Sequence, residues 1–98
     1  MSMAKTVYCY MQLERYEDAL KLVDKALSVK GQKLKRELIF EKGVALEKTG
    51  SFDDAFDIFK SYIEDYPNDE EALDEYDFLT TRISDEKAEQ ANVSNGNN

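Results

Sequence analysis

A segment of this chain is written twice. Arg15-Tyr16-Glu17-Asp18-Ala19-Leu20 returns 36 residues later as Ser51-Phe52-Asp53-Asp54-Ala55-Phe56, keeping an aromatic, two acids, an alanine and a large apolar residue in order. The match runs downstream, with Val23 paired to Phe59, Ala26 to Tyr62, Leu27 to Ile63 and Gly31 to Pro67. It also runs upstream, with Tyr10 paired to Leu46 and Met3 to Ile39. A period in this range marks a supersecondary unit that cannot bury its apolar face alone, so the copies must stack.

Each unit reads as two helices. Met3, Val7, Tyr10 and Met11 recur at helical spacing over 3–13. Ala19, Leu20, Val23, Ala26 and Leu27 form the apolar stripe of a second helix over 17–29, and Gly31 is its stop signal. A third helix over 33–48 buries Leu38, Ile39, Val44, Ala45 and Leu46, and Gly50 supplies the left-handed residue that ends it. Ser51 with Asp54, and later Asn68 with Glu71, have capping-box spacing. These open a fourth helix ending near 65 and a fifth carrying Leu73, Tyr76, Leu79 and Thr80 on one face. Tyr66 before Pro67 is expected to be extended. The expected fold class is all-α, an α-solenoid of antiparallel helical hairpins with about five helices. The repeat domain covers 1–83, with repeat one at 3–32, repeat two at 37–67 and a capping helix at 68–84. Residues 85–98 are expected to be a fraying helix end and a disordered tail, since 92–98 carry too few apolar residues to pack.

The pattern resembles the tetratricopeptide repeat, whose motif runs Trp-x2-Leu-Gly-x2-Tyr, then Ala-x3-Phe, then Pro. In the second unit Gly43, Leu46, Gly50, Phe52, Ala55, Phe59 and Pro67 fall at that spacing. In the first, Tyr10, Tyr16, Ala19, Val23 and Ala26 do so, with Gly31 at the proline position. Small residues such as Gly43 and Ala19 let two helices approach closely, and Tyr16 or Phe52 wedges the turn. The departures are local. Met3 and Ile39 stand where the family often has Trp, Val7 replaces the first glycine, and Tyr62 replaces a small residue, which predicts looser or retilted packing. The family period is 34 residues; the two extra ones here lie in the linker 30–36. The first unit begins at Met3 with no polar cap before it, which fits a fragment of a longer array or a first helix covered by another chain.

The composition bounds the chemistry. There is no histidine, and Cys9 is the lone cysteine, so neither a Cys–His nucleophile nor a cysteine metal cluster can form. Cys9 itself reads as a half-buried helix residue, and the chain fits a reducing compartment, cytoplasmic for this segment, whatever anchors a longer parent protein. The four glycines are scattered and make no phosphate loop. No apolar run approaches the ~20 residues of a membrane span, and no signal segment is recognisable. We therefore expect no enzyme activity, no cofactor, no metal and no direct membrane insertion of this segment.

Net charge is −8, unevenly spread: residues 1–50 carry +3 and residues 51–98 carry −11. An acidic protein repels phosphate backbones, which argues against nucleic acid and for a basic or apolar protein or peptide. The opposite polarity of the halves also permits head-to-tail self-association into a homo-oligomer. The block of eight acids across 64–77 has two readings, a cation site or dock for a basic peptide, and the plainer one of a solvated helix face with acids near a helix N-terminus; it lacks calcium-loop spacing. Lys30, Lys33, Lys35 and Arg36 read as a solvated linker.

The resemblance also implies where a ligand would lie. In the family, the first helices of successive repeats line a concave face that binds peptides. Carried onto this sequence, that face takes Ala4, Tyr8, Met11 and Gln12 from the first helix, Glu37, Phe40, Val44, Glu47 and Lys48 from the third, and Asp74, Phe78 and Thr81 from the fifth. It would be an apolar strip rimmed by acids, although Val44 and Met11 could equally extend the core. Family members that clamp the C-terminal carboxylate of heat-shock chaperones use Lys, Asn and Arg here. The matching positions hold Ala4, Tyr8, Glu37 and Glu41, so such tails are not expected to bind. The implied function is a non-catalytic adaptor module. The alternative is a structural segment of a longer array, or a self-associating module whose groove is filled by its own tail or a neighbouring chain.

Overall fold

A computed structural model of the chain describes residues 3–96, and side-chain surroundings for 3–88. The molecule is all-α, with helices α1 (Met3–Gln12), α2 (Tyr16–Leu27), α3 (Lys35–Lys48), α4 (Phe52–Asp65) and α5 (Glu70–Gly96). Each helix packs on the next in chain order, and α1 also reaches α3. The result is elongated, 58 × 29 × 21 Å.

Burial follows the sequence stripes. Val7, Ala19, Val23, Ala26 and Leu38 form one fully buried cluster, edged by Met3, Ala4, Tyr10, Met11, Leu22 and Leu27. Ala55, Phe59, Tyr62, Ala72 and Leu79 form a second. Sealing Phe59 from water contributes roughly 1.5–3 kcal/mol. On α5 the stripe differs from expectation: Ala72 is buried and Leu73 is exposed, while Tyr76 stacks on Phe56 at 5.1 Å. Cys9 also departs from expectation. It is exposed, because Val7, Tyr10 and Met11 occupy the inward stripe of α1.

The two helix pairs close with the same turn. Arg15 N–H donates to Tyr10 C=O at 2.9 Å and Glu14 N–H to Met11 C=O at 3.1 Å. One repeat later, Ser51 N–H donates to Leu46 C=O at 2.8 Å and Gly50 N–H to Glu47 C=O at 3.1 Å. Both are complete Schellman motifs, and the left-handed residue falls on Glu14 (φ 60°) and Gly50 (φ 85°). Ser51 thus occupies the N-cap position of α4 but makes no capping bond through its side chain. Its backbone is tied to the preceding turn at ψ 65°, away from the extended geometry a capping hydroxyl needs.

The second expected cap shifts by one residue. Asp69, not Asn68, caps α5: its Oδ1 accepts from Ala72 N–H at 3.2 Å. Its other oxygen, Oδ2, accepts from Tyr62 Oη–H at 2.6 Å and from Arg36 Nη2 at 3.0 Å. Arg36 Nε also donates to Tyr62 Oη at 2.8 Å, and its guanidinium lies over the Tyr66 ring at 4.4 Å. This polar knot joins the start of α3, the end of α4 and the start of α5. It withdraws Arg36 from the expected basic linker, leaving Lys30, Lys33 and Lys35 exposed there. α5 continues as helix to Gly96, past the point near 84 where fraying is expected. The run Asp85-Glu86-Lys87-Ala88 contains no helix breaker. Residues 97 and 98 of the expected tail lie outside the described residues.

Candidate interaction surface

α3 and α5 share a register that defines a common face. Leu38 and Ala45 are the buried core residues of α3; Ala72 and Leu79, each 34 positions on, are those of α5. With the 36-residue offset between α1 and α3, Tyr8, Val44 and Phe78 hold corresponding places on the three helices. Their fates differ. Tyr8 is 55% exposed and Phe78 is 43% exposed, whereas Val44 is half-buried against the second core cluster.

The other implied site residues divide in the same way. Ala4 and Met11 are half-buried and pack against the first cluster. Phe40 is drawn inward, its ring edge-on to Phe59 at 5.3 Å and to Tyr62 at 5.7 Å. Gln12, Glu37, Lys48, Asp74 and Thr81 are exposed, and Glu47 is half-buried. The face therefore offers apolar surface mainly at its two sides, Tyr8 and Phe78, with α3 between them. It is open rather than cavity-like. A cavity of about 460 Å³ lies elsewhere, between α4 and α5, beside Phe56, Thr80 and Ile83.

Electrostatics set the middle of this face apart. Glu47 Oε2 is sealed from solvent and meets no hydrogen-bond donor. Burial, and then the neighbouring Glu75 carboxyl of α5, push the Glu47 carboxyl up to about 8. Two carboxyls in reach of each other cannot both ionise cheaply, and burial adds to this, so the Glu47 carboxyl is largely protonated at neutral pH. Glu41, one turn and a half earlier on α3, is also raised by burial. Among the described residues, ion pairs join Arg15 to Asp18, Arg36 to Asp69, Lys42 to Asp24 and Arg82 to Glu86. None of them engages Glu37, Glu41, Glu47, Asp74 or Glu75.

Glu75 and the Arg36–Tyr62–Asp69 knot lie outside the implied site residues, although the sequence marks Tyr62, the linker with Arg36 and the acid block 64–77 for other reasons. One signal for the knot was available. Tyr62 stands where the first repeat has Ala26, and a buried tyrosine needs a partner for its hydroxyl. Among the described residues no group of three or more His, Cys, Asp or Glu side chains is arranged to hold a metal ion, and no helix is long and apolar enough to cross a membrane. Compared with protein-family models, with curated proteins and with solved structures, the chain has no significant match in any of the three.

Proposed function

We propose that this chain is a non-catalytic protein-interaction module, a tetratricopeptide-like solenoid of two helical hairpins with α5 as its cap. Its shared face of α1, α3 and α5 would bind an extended or helical peptide segment. The observation that carries the reading is the exposure of Tyr8 and Phe78 at corresponding positions on that face. Apolar aromatic surface left in water at matched register is the usual mark of a contact site, and Tyr is among the residues that dominate such contacts. The two identical Schellman turns support the repeat reading, since they recur at the offset found in the sequence. The acids around the face favour a partner that is basic or apolar, and disfavour a free carboxylate terminus. The absence of histidine and the isolation of Cys9 support a role without catalysis.

The reading is tested with peptides selected from a displayed random library on the immobilised protein. Replacing Tyr8 and Phe78 together by Ser should weaken the selected peptides by about tenfold or more. Circular dichroism should stay helical and the melting temperature should fall only modestly, because each side chain is already about half in water. Peptides that keep full affinity for the double variant would show that binding uses another surface and would overturn the proposal.

A further inference from the structure

We infer that the edge of the molecule where α3 begins and α4 ends pairs with the same edge of a second copy of this chain, the basic linker of each lying on the acidic turn of the other around a two-fold axis. This goes beyond the binding face proposed above and uses neither Tyr8 nor Phe78.

Charge at this edge runs against the helix dipoles. A helix favours acids at its N-terminus and bases at its C-terminus. Elsewhere the chain follows that rule: Glu17 and Asp18 open α2 and Lys25 closes it, Lys48 closes α3, Asp53 and Asp54 open α4, and Glu70 and Glu71 open α5. Two ends break it. At the start of α3, Lys33, Lys35 and Arg36 outnumber Glu37, and α4 closes on Glu64 and Asp65. Arg36 is met within the chain by Asp69 at 3.0 Å. Lys33, Lys35, Glu64 and Asp65 are exposed, each where its own helix disfavours it, and a partner of opposite charge relieves them all. Apolar side chains lie among these charges. The N-cap position of α3, which usually holds Ser, Thr, Asp or Asn, holds Leu34 with its side chain open to water. Val29 in the linker and Leu73 at the start of α5 are open as well. Exposed apolar residues rimmed by polar ones have the composition of a contact surface.

The occupant follows from how the two charges are arranged. The Arg36–Asp69 bond holds the basic linker and the acidic turn side by side. Leu34 lies two residues before that bond, and Leu73 lies one turn after it, its N–H donating to Asp69 C=O at 3.0 Å. A positive stretch beside a negative one becomes its own complement after a half rotation, so a second copy matches it twice in a single contact. An anionic lipid surface or a nucleic acid that met the linker would also meet the adjoining acids and be repelled. Pairing of this kind closes at two copies, whereas head-to-tail association would run on into longer chains. The edge is a small share of the surface, so the dimer is expected to be about micromolar or weaker, and sensitive to salt.

Sedimentation equilibrium of the whole chain, from about 1 μM to about 1 mM, tests this. At about 50 mM salt the mass should rise from one copy to two and stop there, and at about 500 mM salt it should fall back towards one. Lys33→Glu with Lys35→Glu, and separately Glu64→Lys with Asp65→Lys, should each weaken the dimer by about tenfold or more. Both changes place charge where the helix dipoles prefer it, so thermal unfolding of the dilute variants should show a fold at least as stable as wild type. An equimolar mixture of the two variants should dimerise again, because each linker then finds an opposite charge on the other chain. Tyr8→Ser with Phe78→Ser should leave the dimer unchanged, which separates this edge from the binding face. A chain that stays monomeric throughout, whether or not its linker lysines hold it to phosphatidylserine vesicles, would overturn the inference. So would masses that climb past two copies, a dimer that survives both charge reversals or is lost with Tyr8 and Phe78, or a mixture of the reversed variants that stays monomeric.

Discussion

Glu14 occupies a conformation that suits glycine. Its φ of 60° lies in the left-handed region, where a β-carbon crowds the following carbonyl. The 36-residue offset aligns it with Gly50, which holds φ 85° at no such cost. Glu14→Gly should therefore stabilise the protein by about 0.5–1 kcal/mol, the relief of strain exceeding the added freedom of the unfolded chain. Thermal unfolding should show a rise of a few degrees, about what this energy gives a domain of such size; a fall would mean that the Glu14 side chain makes a contact outweighing its backbone strain. Single residues also mark the limit of what the sequence discloses. The left-handed end at Gly50 is readable from glycine at the close of a helical pattern. The bonds of Arg36 to Tyr62 and Asp69 are not, because they join positions 26 and 33 residues apart and depend on how the helices stack.

Between elements, the two repeats solve one packing problem with different side chains. In the second, an added β-carbon at Gly43 would lie 2.6 Å from the Phe59 ring. In the first, Val7 stands where Gly43 does and Val23 where Phe59 does, and both are fully buried. A small–large pair in one repeat thus answers two medium residues in the other. Alanine normally improves a helix interior by about 1 kcal/mol over glycine. At position 43 the clash should win, since Phe59 is held by Phe40 and has no room to retreat. Gly43→Ala is expected to destabilise by roughly 1–3 kcal/mol, and Gly43→Ala with Phe59→Leu should recover part of the loss. Chemical denaturation of the two variants checks this; additivity of the two substitutions would refute the coupling. The five helices were legible from apolar spacing and from Gly31, Gly50 and Pro67. The extent of α5 was not, because a run of good helix formers without a core stripe gives no sign of where it stops.

Across the whole molecule, one polar knot decides how α5 is attached. Tyr62 Oη–H, the Arg36 guanidinium and the Ala72 N–H all donate to the Asp69 carboxylate and hold it down at about 2. A carboxyl lowered on folding gives stability that is complete above its ordinary value of 3.8 and disappears as pH falls through about 2. Asp69→Asn should therefore be less stable than wild type at pH 6, and the gap should close as pH approaches 2. Urea denaturation at a series of pH values reads this out, and a gap independent of pH would contradict it. The resemblance implies a face on α1, α3 and α5, whereas the inward turn of Phe40 and the exposure of Tyr8 and Phe78 needed the packing. α3 also has a role that its share of that face does not reveal. Leu38 belongs to the first buried cluster, while the adjacent Ile39 and Phe40 pack against the second. One helix is thus the common wall of two rooms. Either end of the chain can open while the other stays closed, but α3 cannot open without both. Its amides should therefore be the last to exchange with solvent, and the molecule should come apart from its termini inward.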